Sequence, residues 1–294
     1  MDFAEWKPHL LTPAEHEAFE RDGYFVVKNA MDANVVERLC TVADRLRDEN
    51  RDKSGFGPRD QGKLGRTDRL NLKDAAVKDP AFLELLAWKT TFPKVFGVLG
   101  WNIQLYHSQL VVAPTVSPEE EDGNRGNWHQ DSDRLNIELE GEPRPRISLK
   151  IGFYLTDNST TGRGNFCVVP GSHKHNKLQR PADGGEPETA TQVIAQPGDA
   201  VLFDRRIWHT ATPNYADFDR KILFYGYSYR WLRPRSDIAL SEEFVDRLDP
   251  IQRQLLGIGA TNMSCTSPLP EDVPLKGWME ANVPAPGSTG SAAA

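Results

Sequence analysis

Residues 197 to 209 read Pro197-Gly198-Asp199-Ala200-Val201-Leu202-Phe203-Asp204-Arg205-Arg206-Ile207-Trp208-His209. Pro197-Gly198-Asp199 is turn chemistry, and Ala200 to Asp204 is an apolar run of strand length. The segment would then deliver Trp208 and His209 to the end of a β core. Working outward, short β-branched or aromatic runs recur at Asn102 to Pro114, Ile147 to Leu155, Asn165 to Val169 and Lys221 to Tyr229, broken by turns such as Pro170-Gly171. No helices alternate with them. Strands grouped in this way predict an antiparallel sandwich or jelly roll and not a parallel α/β sheet.

The first hundred residues are helical in texture. Thr12-Pro13-Ala14-Glu15 combines a capping hydroxyl, a first-turn proline and a carboxylate three residues on, which opens a helix through about Arg21. Gly23 ends it, and Tyr24-Phe25-Val26-Val27 reads as a strand. From Asp32 to about Asp48, residues Val35, Val36, Leu39, Ala43 and Leu46 form one apolar stripe. Helical turns are expected over Pro80 to Ala87 and Phe92 to Leu99, from Ser241, and again where Asp249 caps Pro250. Residues 50 to 69 hold Gly55, Gly57, Gly62 and Gly65 among Arg51, Lys53, Arg59, Lys63, Arg66 and Arg69, which fits either a solvated linker or an active-site lid. The acidic run Glu119 to Asp122 reads as a loop tip. Residues 1–282 are expected to form one domain, mainly β with an N-terminal helical layer, and 283–294 a disordered tail.

The chain has 294 residues, and 35 basic against 42 acidic side chains leave a formal charge of −7. With no Lys/Arg-rich block, that balance argues against a nucleic-acid partner, whose phosphates need neutralising. Cys40, Cys167 and Cys265 form no CxxC pair, so reduced thiols are expected and neither a disulfide framework nor a zinc ribbon. The N-terminus lacks the texture of a signal peptide and no long apolar run follows, which predicts a cytoplasmic protein without a membrane partner. Asn158-Ser159-Thr160 is read as a chance glycosylation match. Monomer and homodimer are equally open.

Of seven histidines, His9 and His16 fall in a polar segment, while His173 and His175 follow a Pro-Gly-Ser turn. His129-Gln130-Asp131 is different. In extended chain, residues i and i+2 point the same way, so an imidazole and a carboxylate can reach one metal ion. His209 is placed to supply the third ligand. Two histidines and one carboxylate suit a non-haem Fe(II) site with open positions, or a tetrahedral zinc site. Arg220 lies eleven residues after His209 and could hold a carboxylate through its guanidinium fork, or pair with Asp217 or Asp219 at the surface.

Taken together, Leu11-Thr12-Pro13 to Asp22-Gly23-Tyr24, Trp128-His129-Gln130-Asp131, Leu155-Thr156-Asp157-Asn158, Val169-Pro170-Gly171-Ser172-His173, Pro197-Gly198-Asp199, His209 and Arg220 resemble the phytanoyl-CoA dioxygenase family over about residues 10 to 235. This is a branch of the Fe(II)/2-oxoglutarate oxygenases that also contains ectoine hydroxylase. The resemblance implies a double-stranded β-helix (jelly roll, cupin-like). It also implies Fe(II) on His129, Asp131 and His209, with Arg220 on the C5 carboxylate of 2-oxoglutarate and O₂ as the other co-substrate. His107, Gln109, Ser148 and Lys150 fall on strands that line the co-substrate pocket in relatives, with the inward-facing members depending on register. Ala211 and Gly126 stand where relatives often carry a hydroxyl and a glutamine. Asp131 stands where halogenating relatives carry a small residue, which favours oxygen transfer.

The implied reaction is hydroxylation of an unactivated C–H in a small metabolite of natural-product metabolism, coupled to decarboxylation of 2-oxoglutarate to succinate. The alternatives are an acyl-CoA 2-hydroxylase of phytanoyl type, a metal-dependent hydrolase or isomerase on a similar barrel, and a binding module. Arg66, Trp128, Trp208, Tyr227 and Trp231 are the expected substrate contacts, with core packing the competing role for the aromatics.

Overall fold

The N-terminal capping box forms as the residues dictate: the Glu15 carboxylate accepts from Thr12 N at 2.9 Å, and Thr12 Oγ1 accepts from Glu15 N at 3.2 Å. In this computed structural model, which describes residues 3–50, 69–117, 127–259 and 267–284, that cap starts α1 (Pro13–Asp22). Gly23, at φ 83°, closes the helix in the left-handed region that favours glycine. The chain continues through β1 (Tyr24–Val27), α2 (Ala33–Asn50), β2 (Leu70–Lys73), α3 (Pro80–Glu84), α4 (Phe92–Leu99) and β3 (Ile103–Ala113). Then come α5 (Asp133–Glu138), β4 (Ser148–Tyr154), β5 (Phe166–Val168), β6 (Thr191–Gln192), β7 (Ala200–Asp204), β8 (His209–Ala211) and β9 (Arg220–Tyr229). Three helices follow: α6 (Glu242–Asp246), α7 (Pro250–Leu255) and α8 (Pro274–Asn282). Residues 51–68, with Arg66, and the acidic run at 119–122 lie outside the described residues.

All strand pairs are antiparallel. One sheet has the order β1-β7-β4-β9-β3-β2, and a second has the order β6-β5-β8. Side-chain alternation divides the large sheet between two cores. Leu149, Ile151, Phe153, Leu202, Leu223, Tyr225 and Tyr227 pack with Leu39, Phe82, Phe92 and Phe96 under the helices. Tyr154, Val201, Phe203 and Ile222 point the other way and pack with Phe166 and Val168 of the small sheet. Because both faces are covered, β4 and β7 read as continuous apolar runs instead of alternating ones. No described helix is long and apolar enough to cross a membrane.

Register corrects one expectation. Tyr227, expected at the substrate, lies on the helix-facing side, where its hydroxyl donates to Leu86 O at 2.8 Å. Tyr225 does the same to Phe82 O at 2.5 Å. Both phenols tether the sheet to the helical layer. Tyr227→Phe should therefore lower the unfolding free energy by about 1–2 kcal/mol, the cost of orphaning a buried carbonyl, while leaving metal affinity unchanged. Chemical denaturation paired with metal titration checks this, and weakened metal binding at wild-type stability would contradict it.

Candidate metal centre

His129 and His209 are brought together by backbone. Each donates its N–H to the other's carbonyl at 3.0 Å, forming a bridge between the His129 segment and β8. Their rings stand 4.3 Å apart, centroid to centroid. His129 Nδ1 lies 2.9 Å from Asn127 O, and His209 Nδ1 lies 2.9 Å from Ile207 O. A carbonyl can only accept, so both Nδ1 atoms carry a proton, and in the neutral ring the lone pair is on Nε2. Burial pushes His209 down to about 4, which keeps it neutral near pH 7. Asp131 completes the cluster, and one ligand atom from each residue lies within 4.8 Å of the others.

Asp131 is held from two sides. Its N–H donates to Arg205 O at 2.9 Å, and its Oδ1 accepts from Lys150 Nζ at 2.7 Å. Oδ2 is buried with no partner. Burial alone would raise this carboxyl's pKa, but the charge and hydrogen bond of Lys150 oppose it, and the group is held well below the usual carboxylate range. Two lone-pair nitrogens and one free, charged carboxylate oxygen are the donor set of a divalent first-row metal, and the cluster fits one.

Behind Asp131 lies a second charge cluster. Asp204, fully buried, accepts from Arg206 at 2.7 Å and Arg146 at 2.8 Å, and Arg146 also reaches Glu20 at 2.7 Å. This fixes the turn whose Arg205 carbonyl seats Asp131. Burial would raise Asp204's pKa, yet the hydrogen bonds and charges of Arg206 and Arg146 bring it below the usual value.

Parity settles the other expected residues. His107 and Lys150 are both strand partners of Gly226 and face the small sheet. His107 Nε2 is 2.9 Å from Gln109 Oε1, and Gln109 in turn donates to Asn71 Oδ1. Burial and Lys150 push His107 down to about 4, so it too is neutral. Lys150, expected at the co-substrate, is paired with Asp131 instead, because a buried ammonium needs a counter-charge. Arg220 is buried, and burial pushes it down to about 10, still cationic. Its Nε has no partner, and no carboxylate pairs with it among the described residues. A Cβ on Gly164 would lie 2.9 Å from Arg220 Cδ, so that glycine lets the stem pass. On either side of Arg220, Asp219 pairs with Arg47 and Lys221 with Asp44, which straps the start of β9 to α2. A buried unpaired guanidinium fits a carboxylate ligand.

The tryptophans turn away from the metal cluster. Trp128 and Trp208 each precede a ligand histidine, so alternation sends them outward. Trp128 Nε1 donates to Glu186 at 2.5 Å, and Trp208 Nε1 to His175 O at 3.3 Å. Trp208 lines a separate cavity of about 490 Å³ with Val169, His175 and Arg180. Trp231 is exposed and stacks on Tyr229 at 5.5 Å. His173, read as a turn residue, is buried, and its Nε2 lies 3.2 Å from Glu20 O. Tyr106, Arg205 and Arg235 were not expected at the site. The one sequence signal for Tyr106 was Gly226 inside a strand, which marks a bulge or a close approach.

Comparison with known proteins agrees with this geometry. The phytanoyl-CoA dioxygenase (PhyH) profile matches residues 19–222, and the chain belongs to that family. Among individual relatives, an ectoine dioxygenase of Stutzerimonas stutzeri is 27% identical over 238 residues, spanning 72% of this chain and 75% of that protein. Dioxygenase af480 of Aspergillus fumigatus is 33% identical over 102 residues, 34% of this chain and 33% of that protein. EctD from S. alaskensis with bound Fe superposes with a TM-score of 0.60 at 20% identity, covering 80% of this chain and 83% of that one. HygX from Streptomyces hygroscopicus with nickel and 2-oxoglutarate bound gives 0.57 at 21% identity, covering 80% and 94%. The fold is the cupin-like jelly roll that the family resemblance implied, and the antiparallel strand pattern agrees with it.

Two expectations follow from the cluster. Lys150→Met should weaken divalent-metal affinity by roughly 10- to 100-fold, the usual cost of losing a partner that orients a ligand. A competitive chelator titration reads this, and wild-type affinity would refute the clamp. Asp204→Asn should cost about 3–5 kcal/mol by leaving the buried Arg206 guanidinium without its counter-charge and Arg146 with Glu20 alone. Since Asp204's folded pKa lies below the free value of 3.8, its contribution is complete above that value and fades as pH falls through the folded one. The stability gap between wild type and variant should thus stay flat over roughly pH 5 to 8 and shrink only in stronger acid.

Proposed function

We propose that this protein is an Fe(II)- and 2-oxoglutarate-dependent dioxygenase that hydroxylates an unactivated C–H bond of a small metabolite in secondary metabolism, with succinate and CO₂ as co-products. The observation that carries the reading is the state of the three ligand atoms. His129 Nε2, His209 Nε2 and Asp131 Oδ2 sit within one cluster, while the other polar atom of each group is already hydrogen-bonded. The relatives support it: EctD is known with 2-oxoglutarate and 5-hydroxyectoine, and HygX with nickel, 2-oxoglutarate and hygromycin B.

Bound ferrous iron and 2-oxoglutarate would supply the oxidising chemistry that a polypeptide lacks. The chain's own residues bind and orient. His129, His209 and Asp131 would hold the ion through one atom each and leave it room for small ligands. Arg220 receives the far carboxylate of 2-oxoglutarate through its unpaired guanidinium. Lys150 keeps Asp131 charged and turned so that one oxygen faces the metal. Phe166 and Phe203 pack beside His209, at 5.1 and 5.5 Å, and keep water from that side. Cys40 and Cys167 are free thiols, which suits a reducing compartment and supports a cytoplasmic enzyme.

Anaerobic addition of 2-oxoglutarate to the ferrous protein should produce a visible charge-transfer band, and admitting air should yield succinate. Arg220→Gln should raise the 2-oxoglutarate concentration needed by roughly 10- to 100-fold, the loss of a charge-assisted pair, with metal stoichiometry unchanged. A protein that binds iron but gives neither band nor succinate would instead be a hydrolase, isomerase or binding module on this barrel.

A further inference from the structure

β3 carries a register shift between Leu105 and His107, and Tyr106 is the extra residue. Bulges re-aim side chains, and they recur beside active sites. Here the Tyr106 ring lies over Gly226: a Cβ there would meet its Cε1 at 2.6 Å and its hydroxyl at 3.2 Å. Since Gly226 pairs with both His107 and Lys150, the phenol stands on the metal-facing side of the sheet. Its hydroxyl and Ser148 Oγ, two residues before Lys150 on β4, are both buried without a well-formed hydrogen bond, and the two hydroxyls face each other. Tyr225 and Tyr227, by contrast, each found a carbonyl.

The charges around these hydroxyls do not balance. Arg235 N donates to Tyr106 O at 2.8 Å, which places Arg235 beside the bulge. Its side chain is exposed and forms no ion pair among the described residues, and its charge is felt at both His107 and Lys150. Arg205 is fully buried, yet it bonds only to Asn136 Oδ1 and the carbonyls of Asp131 and Pro145. Asp204, itself shared with Arg146 and Arg206, and Asp131 act on Arg205, while Asp131 alone pairs with Lys150. Buried hydroxyl donors under surplus cations favour an oxyanion. Arg220 cannot be meant for the same group, because it stands at the opposite end of β9.

We propose that Tyr106, Ser148 and Arg235 form a second ligand subsite beside the metal cluster, one that binds the carboxylate or phosphate group of the substrate. The proposal rests on the oxygenase reading only in calling that ligand the substrate.

The test is calorimetric titration of the Zn(II)-loaded full chain, first with 2-oxoglutarate and then with sodium phosphate or sodium acetate in separate arms. Tyr106→Phe keeps the ring on Gly226 and removes only the hydroxyl, and Arg235→Gln removes only the charge. The expected result is saturable binding of one of the two anions to the wild type. That affinity should fall about tenfold or more in each variant, while 2-oxoglutarate affinity stays put. Phosphate in preference to acetate identifies a phosphorylated substrate, and the reverse identifies a carboxylic acid. Equal anion binding in wild type and both variants would mean an anion on the metal only, and this or no saturable binding overturns the subsite. Failure of the first titration alone would remove the 2-oxoglutarate reading, while the anion arms on the zinc protein would still decide the subsite.

Discussion

The reciprocal hydrogen bonds between His129 and His209, 3.0 Å in each direction, set the geometry from which the rest of the site follows. They join a segment that precedes α5 to the first residue of β8, and so bring together ligands that are far apart in sequence. Because they are backbone bonds, they also fix which way each side chain leaves the strand. Once the imidazoles face inward, the tryptophans before them must face out, and Asp131, two residues after His129, returns to the metal side. The Nδ1 contacts to Asn127 and Ile207 then leave little freedom of ring or tautomer.

Buried charge distinguishes the framework of this molecule from the places meant for ligands. An ion taken out of water costs several kcal/mol unless it is paired and hydrogen-bonded. Asp204 meets that condition with Arg146 and Arg206, and it serves to hold a turn. Lys150 meets it with Asp131. Arg220 does not, as no carboxylate pairs with it among the described residues, and Arg205 is bonded only to Asn136 and two carbonyls, with Asp204 and Asp131 near it. An unpaired buried guanidinium is tolerable in a folded chain when a ligand completes it. Arg220, flanked by the ion pairs that bind β9 to α2, has a rigid mounting for that role.

The sequence was legible where local chemistry is strong. The capping box at Thr12 and the turn at Pro197-Gly198-Asp199 placed α1 to within a residue and β7 at its observed bounds. The i, i+2 spacing of His129 and Asp131 sufficed to nominate them, because period-2 alternation is a property of the chain itself. What could not be read was parity in strands buried on both faces. β9 shows no alternation of polarity, so nothing in its sequence says that Tyr227 looks toward helices while Gly226 looks toward the small sheet and the histidine cluster. The bulge at Tyr106 was hidden for a related reason, since it depends on two strands pairing out of step. β6 and β8, only two and three residues long, carry too little pattern to announce themselves.

β9 ties these observations together. On its metal-facing side it runs from Arg220 through Ile222 and Phe224 to Gly226, a cation, two apolar residues and a gap. The gap is filled from β3 by the Tyr106 ring, so the strand ends in a buried hydroxyl instead of a packed methyl group. A co-substrate anchored at Arg220 would lie along the apolar stretch toward the ligand cluster, where Phe166 and Phe203 exclude water. Polarity at both ends of one strand with an apolar floor between them gives two separate demands for negative charge, and a single small dicarboxylate held at Arg220 and the metal answers only the first.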